Sequence, residues 1–515
     1  LRGISPEGDQ GRKEGVLFLK KKNQKNFIPG ASNTKVFCFF FSKKKAFLPT
    51  LLPHKLECPF ISLETSITTS WPTGPRAEHE FRSTDGGVCE AGTLMRPDRY
   101  AFFRGNVALD QHVIPRGAGL SFCGASFGAG SISVDMTGFD RVLDFDSATG
   151  QVRVEAGIAL SDLLEMLWRR GRYLPIVPGY GSITVGGCIA ADVHGKNPAR
   201  DGIFSALVVS LRLFHPAHGI VTLSASEAPA VFSATCGGFG LTGIILEAVL
   251  RTQALPASDV ESNVFHVADA AEAAAKLSEV SSAGDFAHAW LDFAQPHRHF
   301  GRGHVTLVRL VSGKASDPVC DLHPPGAGLS RVGRLPIGLM NRWTIRAINA
   351  AYMYRHRRPK RAEGFAASIF PIHGNELYFT LFGKAGFHEY QAILPAGELA
   401  HYVEAMRVAA ERFGACVTLG ILKLFDGKPT FLRFDGRGVS LAIEVRRDRT
   451  SLQFLEALDA ALISLGGRPN LIKDSRLPRW VFEETCPEAD RFRHIRREWD
   501  RKRLFRSEMS ERLGL

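Results

Sequence analysis

PIVPGYGSITVGGCIAADVHGKN, residues 175–197, interleaves glycines at 179, 181, 186, 187 and 195 with Val177, Ile183, Val185 and Ile189, and ends in the polar triplet His194, Gly195, Lys196. Glycine lets backbone N–H groups come within hydrogen-bonding reach of a phosphate or a ring carbonyl, and it takes positive φ without strain. Turns of a surface loop would explain these residues taken alone. Two more glycine clusters within one domain-sized segment weigh against that: IPRGAGLSFCG at 114–124, followed by SISVDMTG at 131–138, and VFSATCGGFGLTGIILEAVL at 231–250. Such spacing serves the close approach of a large flat ligand.

In that order and spacing the clusters resemble the vanillyl-alcohol-oxidase superfamily, whose flavin module is the PCMH-type FAD-binding domain. Within it the likeness is to the decaprenylphosphoryl-β-D-ribose 2'-oxidase family, through AADVHGKN at 190–197, CGGFGLTGI at 236–244, EYQAILP at 389–395, KLF at 423–425 and KDSR at 473–476. It runs from about Gly86 to the C-terminus, and five motifs in order are specific where each alone is not. The resemblance implies an α+β protein: a two-lobed PCMH-type FAD-binding domain at 86–256, an inserted antiparallel α+β substrate (cap) domain at 257–467, and a segment at 468–515 returning to the flavin domain.

Length and composition agree with two or three sizeable domains: 515 residues, 45% hydrophobic and 23% charged. A formal net charge of +12 and a pI of about 9.3 suit an anionic partner such as nucleic acid, phospholipid or a phosphorylated substrate. Nucleic acid is set aside, since nothing resembles a helix-turn-helix, a zinc finger or an RNP aromatic pair. Nine scattered cysteines, odd in number and never in CxxC spacing, argue for free thiols in a reducing compartment and against a metal site. No apolar run approaches the roughly 20 residues of a membrane span, and no signal peptide is recognised, so the expected location is cytoplasmic or membrane-peripheral. Residues 1–85, with text such as FLKKKNQKNF, lack sustained periodicity and are expected to be an unstructured extension. Its rival reading is a basic membrane-surface anchor, from lysines 20–22 and 43–45 beside phenylalanines.

Along the chain, apolar residues at 160, 163, 164, 167 and 168 predict a helix capped by Ser161 and closed by Gly171. Paired strands are expected at 207–213 and 220–223. The middle predicts an Ala-rich helix near 269–280, strands at 304–311, 377–382, 417–425 and 439–445, and a helix at 451–465. The loop-rich, basic stretch 312–365 has no assignment. One charged helix is expected over 488–513.

The resemblance places the FAD pyrophosphate against Arg116, Gly117, Ala118, Gly119, Leu120 and Ser121, with Cys123, Gly124, Ala125 and Ser126 adjoining. Thr184, Val185, Gly186 and Gly187, then Ala191, Asp192, Val193 and His194, would line the ring and ribityl chain, with Gly179 and Ile245 nearby. Leu120 stands where many relatives with covalent flavin carry His, so FAD is expected to be noncovalent. His194 is assigned to orient a substrate hydroxyl or accept its proton, roles that suit a near-neutral pKa. Lys196 either faces solvent or binds substrate phosphate. Lys423 follows from pattern: positions 417, 419, 421, 423 and 425 read Val, Leu, Ile, Lys, Phe, so an ammonium interrupts an apolar strand face. Lys473 would stabilise negative charge on the flavin pyrimidine edge, against a bland pairing with Asp474. Glu389 and Gln391, on one side of their strand, can hydrogen-bond a sugar, with Phe425 and Ser440 completing the substrate set.

Departures from the family leave the substrate open. Cys123 replaces a Tyr, Ser440 and Ala442 replace an Asn-x-Cys pair, and Glu389 replaces a Gln. The expected activity is an FAD-dependent oxidation of a secondary sugar alcohol, on a polyprenyl-phosphoryl pentose, to a keto sugar that an NAD(P)-dependent ketosugar reductase would consume. The alternatives are an aldonolactone oxidase, whose usual HWGK-like motif is absent from this sequence, and a non-catalytic flavin-binding subunit.

Overall fold

The computed structural model describes residues 76–97, 100–104, 111–255, 259–296, 299–311, 322, 335–356, 365–372 and 375–515. The lysine clusters at 20–22 and 43–45 lie outside these residues, as does most of 312–334. Residues 76–85 are not an extension: β1 (Arg76–Arg82) pairs antiparallel with β2 (Cys89–Met95), so the boundary expected near Gly86 falls inside a β-ladder. Buried Asp85, in the turn between them, accepts hydrogen bonds from Ser83, Gly87, Arg447 and Ser475 and so ties this hairpin to distant parts of the chain.

β3 (His112–Arg116) joins β4 (Ser131–Asp135) in parallel, completing a sheet of order β1-β2-β4-β3. A second, antiparallel sheet starts with β5 (Val142–Asp146) and β6 (Gln151–Glu155). The chain then forms α1 (Leu160–Trp168), the short β7 (Arg172–Tyr173), α2 (Val185–Ala191) and α3 (Pro198–Asp201). β8 (Val208–His215), β9 (Gly219–Ser224), α4 (Pro229–Thr235) and β10 (Ile244–Arg251) follow, giving the order β5-β6-β10-β8-β9, and β11 (Gln253–Ala254) pairs with β7. The period of α1 is as expected and its apolar stripe is buried. Its cap is not: Ala159 holds that position without a side-chain bond, while Ser161 is buried inside the first turn. Gly171, at φ 65°, closes the end by donating to the Trp168 carbonyl at 2.9 Å.

The third sheet has seven strands, all antiparallel. Its members are β12 (Asp259–Val267), β13 (Phe286–Asp292) and β14 (Arg302–Val311), with α5 (Ala270–Val280) between the first two. After α6 (Arg342–Arg355), α7 (Phe365–Ile369) and α8 (Leu377–Thr380) come β15 (Phe387–Leu394), α9 (Leu399–Phe413), β16 (Val417–Asp426) and β17 (Arg437–Arg446). α10 (Arg449–Ser464) and β18 (Arg468–Pro469) complete it, in the order β12-β14-β13-β16-β17-β15-β18. Alternate residues Ala287, Ala289 and Leu291, Tyr390, Ala392 and Leu394, and Leu441, Ile443 and Val445 form one apolar cluster with α5, α9 and α10. The strand expected at 377–382 is the helix α8 followed by a turn, and α6 occupies the stretch left unassigned.

The chain ends in α11 (Arg479–Thr485), α12 (Ala489–Trp499) and α13 (Glu508–Leu513). The single helix expected over 488–513 is thus two, because Asp500 accepts the Leu504 and Phe505 amides in a tight turn and Arg503 takes φ 50°. Phe505 bridges Val113 of β3, Glu508 N donates to the Phe127 carbonyl and Met509 N to that of Gly124. Helix and strand are mixed throughout, an α+β architecture as expected. No helix among the described residues is long and apolar enough to cross a membrane.

Candidate active site

Thr184 caps α2, its Oγ1 accepting from Gly187 N at 3.2 Å, and a methyl group built on Gly117 would overlap that hydroxyl. Gly186 packs closely on Ala156 and donates to its carbonyl at 2.7 Å. The first and second glycine stretches therefore meet where neither has room for a side chain. Between Gly117 and Gly124, through Ala118, Gly119 (φ 69°), Leu120 and Ser121, no backbone N–H donates to a described residue. Arg116 stands beside this run, donating to Ser126 Oγ at 2.8 Å with its guanidinium 5.1 Å from the Phe81 ring centroid. Consecutive amides open to a ligand beside a cation are what a pyrophosphate requires, so the residues present fit FAD.

Other predicted contacts can offer only backbone. Cys123 and Ala125 turn their side chains into an apolar cluster with Leu241, Phe482 and Met509, the Cys123 sulfur lying 3.4 Å from that of Met509. Gly124 faces the Glu508 side chain. Val185 and Ile245 are buried in the core behind the turns, with Val193 packed against the same cluster, and Ala191 packs against the C-terminal helices. Asp192 has its carboxylate engaged elsewhere. At φ 44° it accepts Ser205 N at 2.7 Å and pairs with Arg433 at 3.1 Å, so its carboxylate joins the end of α2 to the segment before β17. Burial raises its pKa to about 6 against the opposing pull of Arg433.

The sheet face opposite α5, α9 and α10 carries Glu389, Gln391, Lys423, Ser440 and Glu444, polar yet mostly buried. The HGKN segment lies against it. Lys423 Nζ donates to the Gly195 carbonyl at 3.0 Å, Ala287 N donates to that of Lys196 at 3.3 Å, and Asn197 Nδ2 donates to that of Ser281 at 2.9 Å. His194 Nε2 lies 3.1 Å from Gln391 Nε2 and its Nδ1 3.1 Å from the Gly195 carbonyl, the pattern of a neutral ring protonated at Nδ1 and accepting from Gln391. Gln391 also donates to Ser440 Oγ at 3.1 Å and accepts from Asn470 Nδ2 at 2.8 Å. Phe425 and Phe434 flank the imidazole, with ring centroids 5.3 and 5.9 Å away. Burial, then the Lys423 charge, holds His194 well below the ordinary histidine pKa. The expected near-neutral value is overturned, because the ring is buried and already sits among cations.

Lys423 reaches this face for a reason the alternation misread. A register irregularity between Val417 and Gly420 shifts β16, so Val417, Leu422 and Leu424 belong to the helix-covered face and Lys423 with Phe425 to the other. Its ammonium lies between Ile421 and Phe425 on that face, while Val417 belongs to the helix-covered one. Lys196 is buried, not solvent-facing, and a methyl on Gly179 would lie 3.6 Å from its Nζ. Burial, then Lys473, lowers Lys196 to about 7; burial, then Lys196 and Lys473, pushes Lys423 well below the usual lysine value. Lys473 pairs with Glu389 at 2.9 Å, not with Asp474, which binds Arg476, and its Nζ lies 3.9 Å from the Phe122 ring centroid. Glu389 sits opposite Glu444 across β15 and β17; burial, then Glu389, raises Glu444 to about 8. Sequence reasoning missed Asn470, Phe122, Phe434 and Glu444. Only Asn470 gave a sign, as the polar residue heading NLIKDSR.

Residues 105–224 match the FAD binding domain family. Decaprenylphosphoryl-beta-D-ribose oxidase of Mycolicibacterium smegmatis is 30% identical over 415 residues, 78% of this chain and 89% of that protein. L-galactono-1,4-lactone dehydrogenase 2 of rice is 32% identical over 212 residues, 40% of this chain and 34% of its own. Mouse L-gulonolactone oxidase is 34% identical over 118 residues, 23% and 27% respectively. The amide-lined turns, the clustered lysines and these matches define an FAD-linked oxidoreductase with a PCMH-type flavin domain. Within the vanillyl-alcohol-oxidase superfamily, the chain belongs to the decaprenylphosphoryl-β-D-ribose 2'-oxidase family.

Proposed function

We propose that this enzyme oxidises a secondary hydroxyl of a polyprenyl-phosphoryl pentose, 2'-OH to 2'-keto, with FAD held noncovalently along residues 116–126 and 179–194. When bound, FAD supplies the hydride acceptor for that oxidation. The seven-stranded sheet at 259–469 acts as the substrate lobe, its polar face closing over the HGKN segment. The single observation that carries the reading is the convergence of buried Lys196 with half-buried Lys423 and Lys473 on one site in which Glu389 pairs with only one of them, Lys473. A neutral lactone has no use for clustered amines that an arriving anion would recharge, and a phosphodiester does.

Lys196 takes the substrate phosphate and regains its proton as the anion arrives. Lys423, whose charged form is disfavoured by burial and its cationic neighbours, accepts the proton of the reacting hydroxyl, while His194 and Gln391 fix the orientation of the sugar. The keto product then passes to an NAD(P)-dependent ketosugar reductase. The test is anaerobic: a polyprenyl-phosphoryl pentose should bleach the yellow enzyme, and Lys423→Met should keep the flavin spectrum while slowing bleaching about a hundredfold or more. Bleaching by aldonolactones alone would replace this reading with lactone oxidation. No bleaching by either would leave a flavin-binding subunit.

A further inference from the structure

α6 turns much of its apolar surface outward. Its buried positions are Ile345 and Asn349, the latter an amide donating to Asp292 and to the Thr418 carbonyl. The outward positions Trp343, Ala347, Ala350, Ala351 and Tyr354 recur at helical spacing and are all apolar or aromatic. Trp343 is 71% and Tyr354 74% exposed. The segment entering the helix adds Ile337, 71% exposed, and Leu339; α8 adds Leu377, 70% exposed. Backbone bonds from Leu339 and Met340 to the Leu381 carbonyl hold these pieces together. Large exposed side chains in one patch, unlike scattered ones, mark a contact surface.

The charge around the patch says what it contacts. Arg342, Arg355 and Lys384 are exposed and Arg346 is half-buried, whereas the only acidic residue among the described residues from 335 to 386 is Glu376, which is buried. Apolar and aromatic side chains rimmed by arginines, with no exposed carboxylate among those residues, match the boundary between acyl chains and anionic headgroups. The patch is also one layer from the catalytic site. Met340, Ile345, Phe379 and Phe382 share a cluster with Phe122, the ring beneath Lys473 Nζ.

We infer that the α6–α8 face docks the enzyme on an anionic phospholipid bilayer, presenting the site to a substrate whose lipid stays in the membrane. This rests in part on the lipid-linked substrate proposed above, but its test reads no turnover, so the two fail separately. The full-length flavoprotein is sedimented with vesicles of phosphatidylcholine alone or with about 30% phosphatidylglycerol, a composition chosen to give a clear negative surface potential. Binding should require the anionic lipid and fall with salt. Trp343→Ala and Leu377→Ala should each weaken it about tenfold, and Arg342→Gln or Arg355→Gln about fivefold, with flavin absorbance unchanged. Trp480→Ala, which removes an exposed tryptophan elsewhere, should change nothing. The inference is overturned if the enzyme ignores anionic vesicles, binds neutral ones equally, or keeps its affinity in the α6–α8 variants. It is also overturned if binding is lost only on replacing lysines 43–45, or if the face instead proves to join two copies of the chain.

Discussion

Gly117→Ala tests whether the two glycine stretches meet as described. No positive φ is needed at Gly117, so alanine carries no backbone strain there, and the main obstacle is the Thr184 hydroxyl that its methyl would overlap. Overpacking of this kind costs about 1–3 kcal/mol. Thr184→Ala alone forfeits the cap on Gly187 N, about 1 kcal/mol. Were the sites independent, the double variant would lose about 3 kcal/mol, the sum of about 2 and about 1. In the structure they are not independent. Thr184→Ala removes the atom the new methyl strikes and leaves only the Cβ of that residue, at 3.3 Å, tight but tolerable. The double variant should therefore be only about 1 kcal/mol less stable than the parent. Chemical denaturation gives the stabilities and flavin absorbance per protein gives occupancy; Gly117→Ala should lose cofactor and the double variant should regain part of it. Additive losses, or full cofactor in Gly117→Ala, would refute the juxtaposition.

Glu389→Gln removes the partner of Lys473 and the charge facing Glu444, so the pH–rate profile should lose or shift downward a limb near pH 8; an unchanged limb would clear Glu444. Inorganic phosphate should inhibit more strongly at pH 6 than at pH 8, because Lys196, lowered to about 7, is charged only below that value. Lys196→Met should flatten this dependence. Ala442 lies opposite Gln391 on the neighbouring strand and offers no thiol, so compounds that trap a cysteine at this position should not inactivate the enzyme, whereas Ala442→Cys should be labelled, as mass spectrometry would show.

Period makes α1 readable, since five apolar positions within nine residues leave one helical solution. Asp269 and Asp448, whose carboxylates cap α5 and α10, likewise mark their starts in the text. The run LYFTLF at 377–382 is not decidable, because a nearly unbroken apolar stretch has no period and only its surroundings fold it as α8. α6 does carry a sign, the Asn341 and Thr344 capping box, hidden by the basic residues around it. At the site, His194, Lys196, Lys423 and Lys473 stand out in motifs, but their partners do not. Glu389 reaches Lys473, and Asn470 reaches Gln391, through sheet register and a returning chain that no local pattern encodes. The His194 pKa escapes sequence reasoning for the same reason: its value belongs to the burial and the lysines that packing brings around it.

The amides of Gly117 to Gly124 are braced from behind by Phe505, Glu508 and Met509, and 386 positions separate Cys123 from the Met509 sulfur it touches. A nascent chain thus makes its glycine turns long before their backing has left the ribosome. Flavin loading should accordingly wait for that backing, and a transcript cut short before the codon for Phe505 should yield a colourless product open to proteolysis, so that the cofactor itself reports that synthesis has passed this point.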